Sequence, residues 1–342
     1  MKKSTITIRD VAKHAGVSHQ TVSRVINDSE NVSPKTRLKV EDSIKDLGYR
    51  PNAFARFMAL GRSHTLAFIA PNRTDFTFSK IIEGAETECR KHGYFILSAS
   101  APDEETFTSL LDELIISKRT EGLMVMNPYA DRRYEIMSNI SPVVFVGARP
   151  RQEITHSVSL DDISAGKNAT QHLLELGHRA IGMVTGPLEE DCTQDRMIGF
   201  KQALDEVGIE YRTDFTAPGD WSASSGYEGF KKIVTNGTIP TAIFAQNDQI
   251  AVGVIRAARE MGLSVPKDLS VIGVDDMPLA SYFDPPLTTM RQDFLKIGQE
   301  AARLFIRILE NPDIPPEQHL LPATLVQRKS TSKLIKKQGG QI

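Results

Sequence analysis

The sequence predicts two unlike parts: an N-terminal all-α helix-turn-helix headpiece, and behind it an α/β body of two doubly wound subdomains. Three observations carry this. Thr7 to Asn27 reads as two short helices joined at a glycine, and from Thr65 onward short apolar runs alternate with amphipathic helices. The charge is also divided along the chain. Up to Arg62, 12 Lys and Arg stand against 6 Asp and Glu, a charge of +6; after it 29 stand against 37, a charge of −8, within a net −2. A basic segment ahead of an acidic body suits a nucleic-acid module attached to something else.

Taken in order, Thr7 offers a cap to a first helix while Asp10 reaches back to it. Gly16 turns the chain, Val17 points inward, and Ser18 caps a second helix on which Val22, Val25 and Ile26 face one way. His19, Gln20, Ser23, Arg24 and Asn27 are left on outer faces. A core helical hairpin would share that pattern, but a polar-fronted second helix on a basic segment favours DNA. Ser33-Pro34 starts a third helix, with Leu38, Val40, Ile44 and Leu47 on its core side and Gly48 at its end. Asn52 to Leu60 suits a short helix, too short to stand alone in water, that folds against DNA or a partner copy.

From Arg62 the pattern changes. Thr65–Ala70 ends at Pro71 as a buried parallel strand does. Helix 79–92, strand 94–98, helix 104–117, strand 122–126, a helix near 131–138 and strand 142–146 follow. The series then restarts with helix 162–176 and strand 180–185, continuing through helix 194–207, helix 224–235, strand 242–245, helix 249–261 and strand 270–274. Two such series imply two similar subdomains with a cleft at the carboxyl ends of their strands. Residues 285–290 read as an extended crossover, and the amphipathic helix 294–309 then returns to the first subdomain. A last strand-like piece covers 320–328. The resulting division is headpiece 1–50, hinge 51–62, two-lobed body 63–330 and basic tail 331–342.

The composition is 40% hydrophobic and 25% charged, ordinary for a globular chain of 342 residues with a sizeable core. No apolar run approaches a membrane span, and Met1-Lys2-Lys3 leads into no signal-peptide core, so a cytoplasmic location is expected. Cys89 and Cys192, far apart, suit free thiols in a reducing compartment. Phosphate-binding, dinucleotide-binding, zinc-protease and nucleophile-elbow motifs are all missing, and the eight histidines lack metal-ligand spacing. The run Glu189-Glu190-Asp191 reads as a solvated loop. No enzyme activity, cofactor or metal is expected.

VSHQTVSRVIN, VSPKTRLKV with LGYRPNAFAR behind it, NDQIAVG, VIGVDDMP and PPLTTMRQDF, in that order and spacing, resemble the LacI/GalR family of transcriptional repressors nearly end to end. The resemblance implies a periplasmic-binding-protein-like body and a homodimer on a pseudo-palindromic operator. A small molecule closing the cleft would then set the grip on DNA. On DNA, Gln20 can pair with adenine and Arg24 with guanine in the major groove. His19 can reach a base edge or a phosphate, and Thr7, Ser18, Thr21, Ser23 and Asn27 suit phosphates. In the hinge, Asn52 and Arg56 join the DNA-facing set, and Met58 stands where the family wedges a leucine into the minor groove.

For the cleft, Arg196, Trp221, Asn247-Asp248 and Asp275 match the family's ligand-contacting pattern, with Asp75, Phe76 and Phe78 after the first strand and Gln292 and Phe294 after the crossover. Carboxylate, amide and guanidinium groups pair with adjacent hydroxyls, and an indole stacks on a pyranose. Asp248 and Asp275 read alternatively as residues that cap helices or brace strand ends, Asp248 above all. Gly147-Ala148-Arg149 lacks the aspartate that family members often carry there, which leaves room for a larger glycoside. The expected function is a repressor of a carbohydrate-utilisation operon. A purine-type effector, or a sugar receptor of a transport system, are the alternatives.

Overall fold

The computed structural model describes residues 6–27, 31–50, 62–126, 133–137, 140, 142–147, 155–235 and 237–334. Asn52, Arg56 and Met58 lie outside the described residues, as do Ala148 and Arg149. The chain forms two compact units, 1–64 and 65–342, so the first unit ends two residues beyond the expected hinge.

In the first unit α1 (Ile8–Ala15), α2 (His19–Ile26) and α3 (Pro34–Leu47) bury Val11, Ala12, Ala15, Val22, Val25 and Val40 together. Gly16 takes a left-handed φ of 62°, which a side chain would disfavour, and there the chain leaves α1 for α2. Ser18 Oγ accepts from the Thr21 N–H at 3.1 Å, the expected cap of α2. At α1 the expected capping box between Thr7 and Asp10 is present. The Asp10 carboxylate accepts from both the Thr7 N–H (2.8 Å) and the Thr7 hydroxyl (2.7 Å). Leu38, expected in the core of α3, is 62% exposed. It lies two residues from buried Val40, on the far side of a helix of 3.6 residues per turn.

The second unit holds two six-stranded sheets. The first is built from β1 (Thr65–Ala70), β2 (Phe95–Ser100), β3 (Leu123–Met126), β4 (Val143–Val146), β5 (Ser157–Leu160) and β11 (Gln318–Leu321), in the order β11-β5-β4-β3-β1-β2. The second has β6 (Ile181–Val184), β7 (Thr216–Ala217), β8 (Ala242–Ala245), β9 (Ser270–Asp275), β10 (Thr288–Arg291) and β12 (Thr324–Val326), in the order β12-β10-β9-β8-β6-β7. All described pairings are parallel except β10 with β12. The single last strand expected at 320–328 is therefore two strands, one in each sheet, parted at Pro322-Ala323. Proline removes a ladder donor, and the chain crosses between lobes there. With the β5 and β10 exits, this makes three crossings.

Helices cover both lobes: α4 (Phe76–Lys91), α5 (Glu104–Leu111), α6 (Arg133–Ile136), α7 (Asp162–Glu175), α8 (Asp191–Asp205), α9 (Ala223–Thr235), α10 (Asp248–Glu260) and α11 (Phe294–Glu310). The expected helix 104–117 keeps its α form only to Leu111 and continues as a π turn over Asp112–Ile116. α11 returns to the first lobe as expected, where Ile297, Ala301, Leu304 and Phe305 join Phe68, Ala85 and Met124 in one core. Burying a side chain such as Phe305 contributes about 1.5–3 kcal/mol.

Three helix pairs share one device. A Cβ placed on Gly298 would fall 1.9 Å from the Ile81 carbonyl oxygen; on Gly199, 2.0 Å from that of Ile163; on Gly253, 1.9 Å from that of Ala223. Each pair, α4–α11, α7–α8 and α9–α10, is thus drawn together near its amino-terminal ends. The residues after β12 stay packed. Ser330 Oγ donates to the Val271 carbonyl at 2.6 Å, His178 Nε2 lies 3.0 Å from the Ser332 carbonyl, and Leu334 N–H reaches Leu176 O at 2.8 Å. The expected tail from 331 thus begins no earlier than 335, because buried hydroxyls, His178 and His172, whose Nε2 lies 3.0 Å from Thr331 Oγ1, hold this stretch to the second lobe.

Candidate functional site

A cavity of about 360 Å³ opens between the carboxyl ends of the two sheets. Its walls come from the loops that lead each sheet into its helices, as open α/β sheets require. Asp75, Phe76 and Phe78 stand at the start of α4, Glu190 and Arg196 at the start of α8, Asn247 ahead of α10, and Gln292 and Phe294 around the start of α11.

Arg196 is the best-anchored group. Its Nε donates to Asp162 Oδ1 at 2.7 Å, its Nη1 donates to the Gln246 carbonyl, and its guanidinium lies 5.6 Å from the centre of the Trp221 ring. Burial works against its charge, but the Asp162 carboxylate more than restores it, so the guanidinium stays protonated. Burial pushes Asp162 itself up to about 6 against the pull of Arg196.

Trp221 is clamped on several sides. Its Nε1–H donates to Glu190 Oε2 at 3.0 Å, the Asn247 amide donates to its carbonyl at 3.0 Å, and a Cβ on Gly186 would fall 2.3 Å from its ring. Its φ is +68°, and that of Asp275 is +121°. Such conformations cost of order 1–3 kcal/mol each, and here both belong to residues that line the cavity. The Asp275 carboxylate accepts from Gln292 Nε2 at 2.8 Å. Its pKa lies well above the usual carboxylate range, because it is buried and faces the Asp248 carboxylate.

Some candidate residues are engaged in the fold. Asp75 Oδ1 accepts from the Thr77 and Phe78 N–H groups, capping α4, and Asn247 Oδ1 accepts from the Ile250 N–H at 2.7 Å, capping α10. Asp248 does not line the cavity. Its Oδ1 accepts from the Thr289 hydroxyl at 2.6 Å and its Oδ2 from the Met277 N–H at 2.8 Å, which ties β10 to the loop after β9. It is therefore a brace, the second of its two expected readings, and not the ligand contact that the family pattern implied.

In the headpiece, Thr7, Ser18, His19, Gln20 and Arg24 are exposed, and Thr21, Ser23 and Asn27 are partly so. Gln20 and Arg24, one turn apart on α2, carry hydrogen-bonding groups of the kind that read base edges. Thr7 and Ser18 spend part of their capacity on the helix starts. The Asn27 amide donates to Ser23 Oγ at 3.4 Å.

Residues 7–52 match the family described as bacterial regulatory proteins, lacI family, and residues 170–331 match a periplasmic binding protein-like domain. The HTH-type transcriptional repressor CytR of Escherichia coli (strain K12) is 32% identical over 97% of this chain and 98% of its own length. The HTH-type transcriptional repressor PurR of Yersinia pestis (strain Pestoides F) is 36% identical over 95% and 97%. The chain belongs to the LacI family.

Among solved structures, the Lac repressor dimer bound to operator and the anti-inducer ONPF superposes with a TM-score of 0.85, at 31% identity, over 96% of this chain and 100% of that one. A complex of the transcriptional regulator CelR with cellobiose gives 0.74, at 29% identity, over 95% and 99%. This LacI-family protein is therefore a DNA-binding transcriptional repressor, built as a helix-turn-helix headpiece and a periplasmic-binding-like body, and not an enzyme. No helix among the described residues is long and apolar enough to cross a membrane.

For this LacI-family repressor the structure brings all eight expected effector residues to one cavity: Asp75, Phe76, Phe78, Arg196, Trp221, Asn247, Asp275 and Gln292. Sequence reasoning missed Asp162, Glu190 and Cys192. Asp162 follows β5, a strand that the periodicity had not revealed. Glu190 stands in the acidic run read as a solvated loop, but burial raises its pKa, against the Trp221 N–H and the Cys192 thiol. The signal for it was positional: it opens a helix just after the first strand of the second series.

Proposed function

We propose that this repressor acts as a homodimer on a pseudo-palindromic operator of a carbohydrate-utilisation operon, and that a sugar-like molecule held between its lobes sets its grip on DNA. The observation that carries the reading is one cavity that combines fixed polar groups, Arg196, Asn247, Asp275 and Gln292, with aromatic faces at Phe76, Phe78 and Trp221. Vicinal hydroxyls suit the first set and the apolar face of a pyranose the second. The cellobiose held by CelR and the ONPF held by the Lac repressor are consistent with this. A cytoplasmic location follows from binding chromosomal DNA.

On DNA, Gln20 and Arg24 supply base readout, with His19 beside them, while Thr7, Ser18, Thr21, Ser23 and Asn27 hold phosphates. Asn52, Arg56 and Met58 extend the contact through the hinge. The chain crosses three times between lobes, so a ligand touching both changes the angle between them and, through residues 51–62, the spacing of two headpieces. Whether the ligand releases or tightens DNA depends on which lobe angle it favours.

The test is to recover bound genomic fragments with the purified protein, then titrate the best fragment by fluorescence anisotropy with and without a sugar panel. A sugar that shifts operator affinity tenfold or more supports the reading. Unchanged affinity across the panel, with a shift by purine bases, would replace sugar with the purine reading that the stacking rings Phe76 and Trp221 also suit.

A further inference from the structure

Resting on the effector reading above, we infer that the cavity takes an uncharged polyhydroxylated molecule and discriminates against its phosphate ester, with Glu190 a principal discriminating group. Among the described residues its wall carries five carboxyl groups, at Asp75, Asp162, Glu190, Asp220 and Asp275, and two guanidiniums, at Arg133 and Arg196.

Both cations are engaged. Arg196 gives its Nε hydrogen to Asp162 and an Nη1 hydrogen to the Gln246 carbonyl, so its charge already faces a buried carboxyl. Arg133 is buried, donates to the Ala101 carbonyl at 3.4 Å and lies 6.0 Å from the Phe107 ring centre. Three of the helix starts around the cavity, which otherwise attract anions, are already served by the chain, while α8 opens behind the Glu190 carboxyl without a side-chain cap. Asp75 takes the Thr77 and Phe78 N–H groups of α4, Asn247 takes that of Ile250 on α10, and Asp293 takes that of Lys296 on α11.

The carboxyls, by contrast, are open to a donor. Glu190 uses Oε2 for Trp221 and Cys192, and Asp275 uses Oδ1 for Gln292. The second oxygen of each can receive a hydroxyl hydrogen. Burial already holds both groups above the usual carboxylate range. A phosphate dianion in the same low-dielectric space either meets like charge on these groups or forces them to take up protons, whereas a hydroxyl does neither.

Trp221, the one tryptophan of the chain, sits in the wall and reports occupancy without DNA. The full-length protein is titrated, with fluorescence and calorimetric detection, against three matched pairs: glucose and glucose 6-phosphate, cellobiose and its 6-phosphate, adenosine and adenosine 5′-monophosphate. The expected result is a saturable response to an uncharged sugar, with its ester at least 30-fold weaker, and a Glu190→Gln ratio narrowed at least fivefold. An ester that binds within threefold of its parent overturns the inference. An unchanged ratio in a folded Glu190→Gln protein overturns the role of Glu190. A response to adenosine alone overturns the sugar reading and upholds the selection against charge, and silence from every pair overturns both.

Discussion

Arg196 and Asp162 meet in the wall of the cleft, Nε to Oδ1 at 2.7 Å, with both side chains less than a tenth exposed. A pair buried this far adds little net stability, since desolvation offsets most of the attraction, but removing one partner strands the other. Asp162→Ala should therefore lower unfolding free energy by roughly 3–5 kcal/mol, measured by chemical denaturation of the full chain. Asp162→Leu combined with Arg196→Met should recover much of that loss while abolishing the effector response. A double variant as unstable as the single one would mean that the pair holds the fold by geometry, not by charge compensation.

Gln20→Ala and Arg24→Ala should each weaken operator binding by about 1–3 kcal/mol, roughly 5- to 150-fold, if each reads one base pair. Both side chains are exposed, so the thermal midpoint should move little. Ser18→Ala is different, because its hydroxyl caps α2 at 3.1 Å. It should cost the headpiece about 1 kcal/mol of stability as well as affinity. Affinity measured on operator and on unrelated DNA separates the roles. A base-reading residue loses specificity, and a phosphate contact loses both together and lowers the salt slope.

Gly253 lets α9 and α10 approach until a Cβ would lie 1.9 Å from the Ala223 carbonyl oxygen, and backbone cannot yield as a flexible side chain can. Gly253→Ala should destabilise the body by about 1–3 kcal/mol or more and displace the start of α9, where Trp221 stands. A shift in Trp221 emission together with the lower midpoint is expected. A variant of unchanged stability and emission would show that the helices separate at no cost.

The headpiece was legible because its determinants are local: Ser18 three residues before Thr21, Gly16 at the turn, and Val22 and Val25 on one face. The β-α alternation was legible for the same reason, down to α11 returning to the first lobe. What escaped depends on contacts distant in sequence. The pieces of β11 and β12 read as one strand because each draws its partner from a different sheet, β5 and β10. Glu190 read as solvated because its burial comes from Trp221, 31 residues on. Asp162 had no visible role without Arg196, 34 residues away. The eight effector residues were reached through family motifs, not from periodicity.

Asp248 allows a test with a definite sign. Burial, against hydrogen bonds from the Thr289 hydroxyl and the Met277 N–H, pushes its carboxyl up to about 7 from an ordinary 3.8. Between these values the folded chain binds a proton that the unfolded chain has released, so this group's contribution falls as pH rises from about 4 to 7. Asp248→Asn removes the titration. The stability of the native protein relative to the variant should therefore decline by roughly 2–4 kcal/mol over that window, whatever baseline the lost acceptor sets. Urea unfolding of both proteins at pH 4, 5, 6 and 7 gives the comparison, and parallel curves would mean that Asp248 stays ionised in the fold. The same substitution removes one carboxylate facing Asp275, whose pKa should then fall toward its ordinary value and shift the pH dependence of effector binding downward with it.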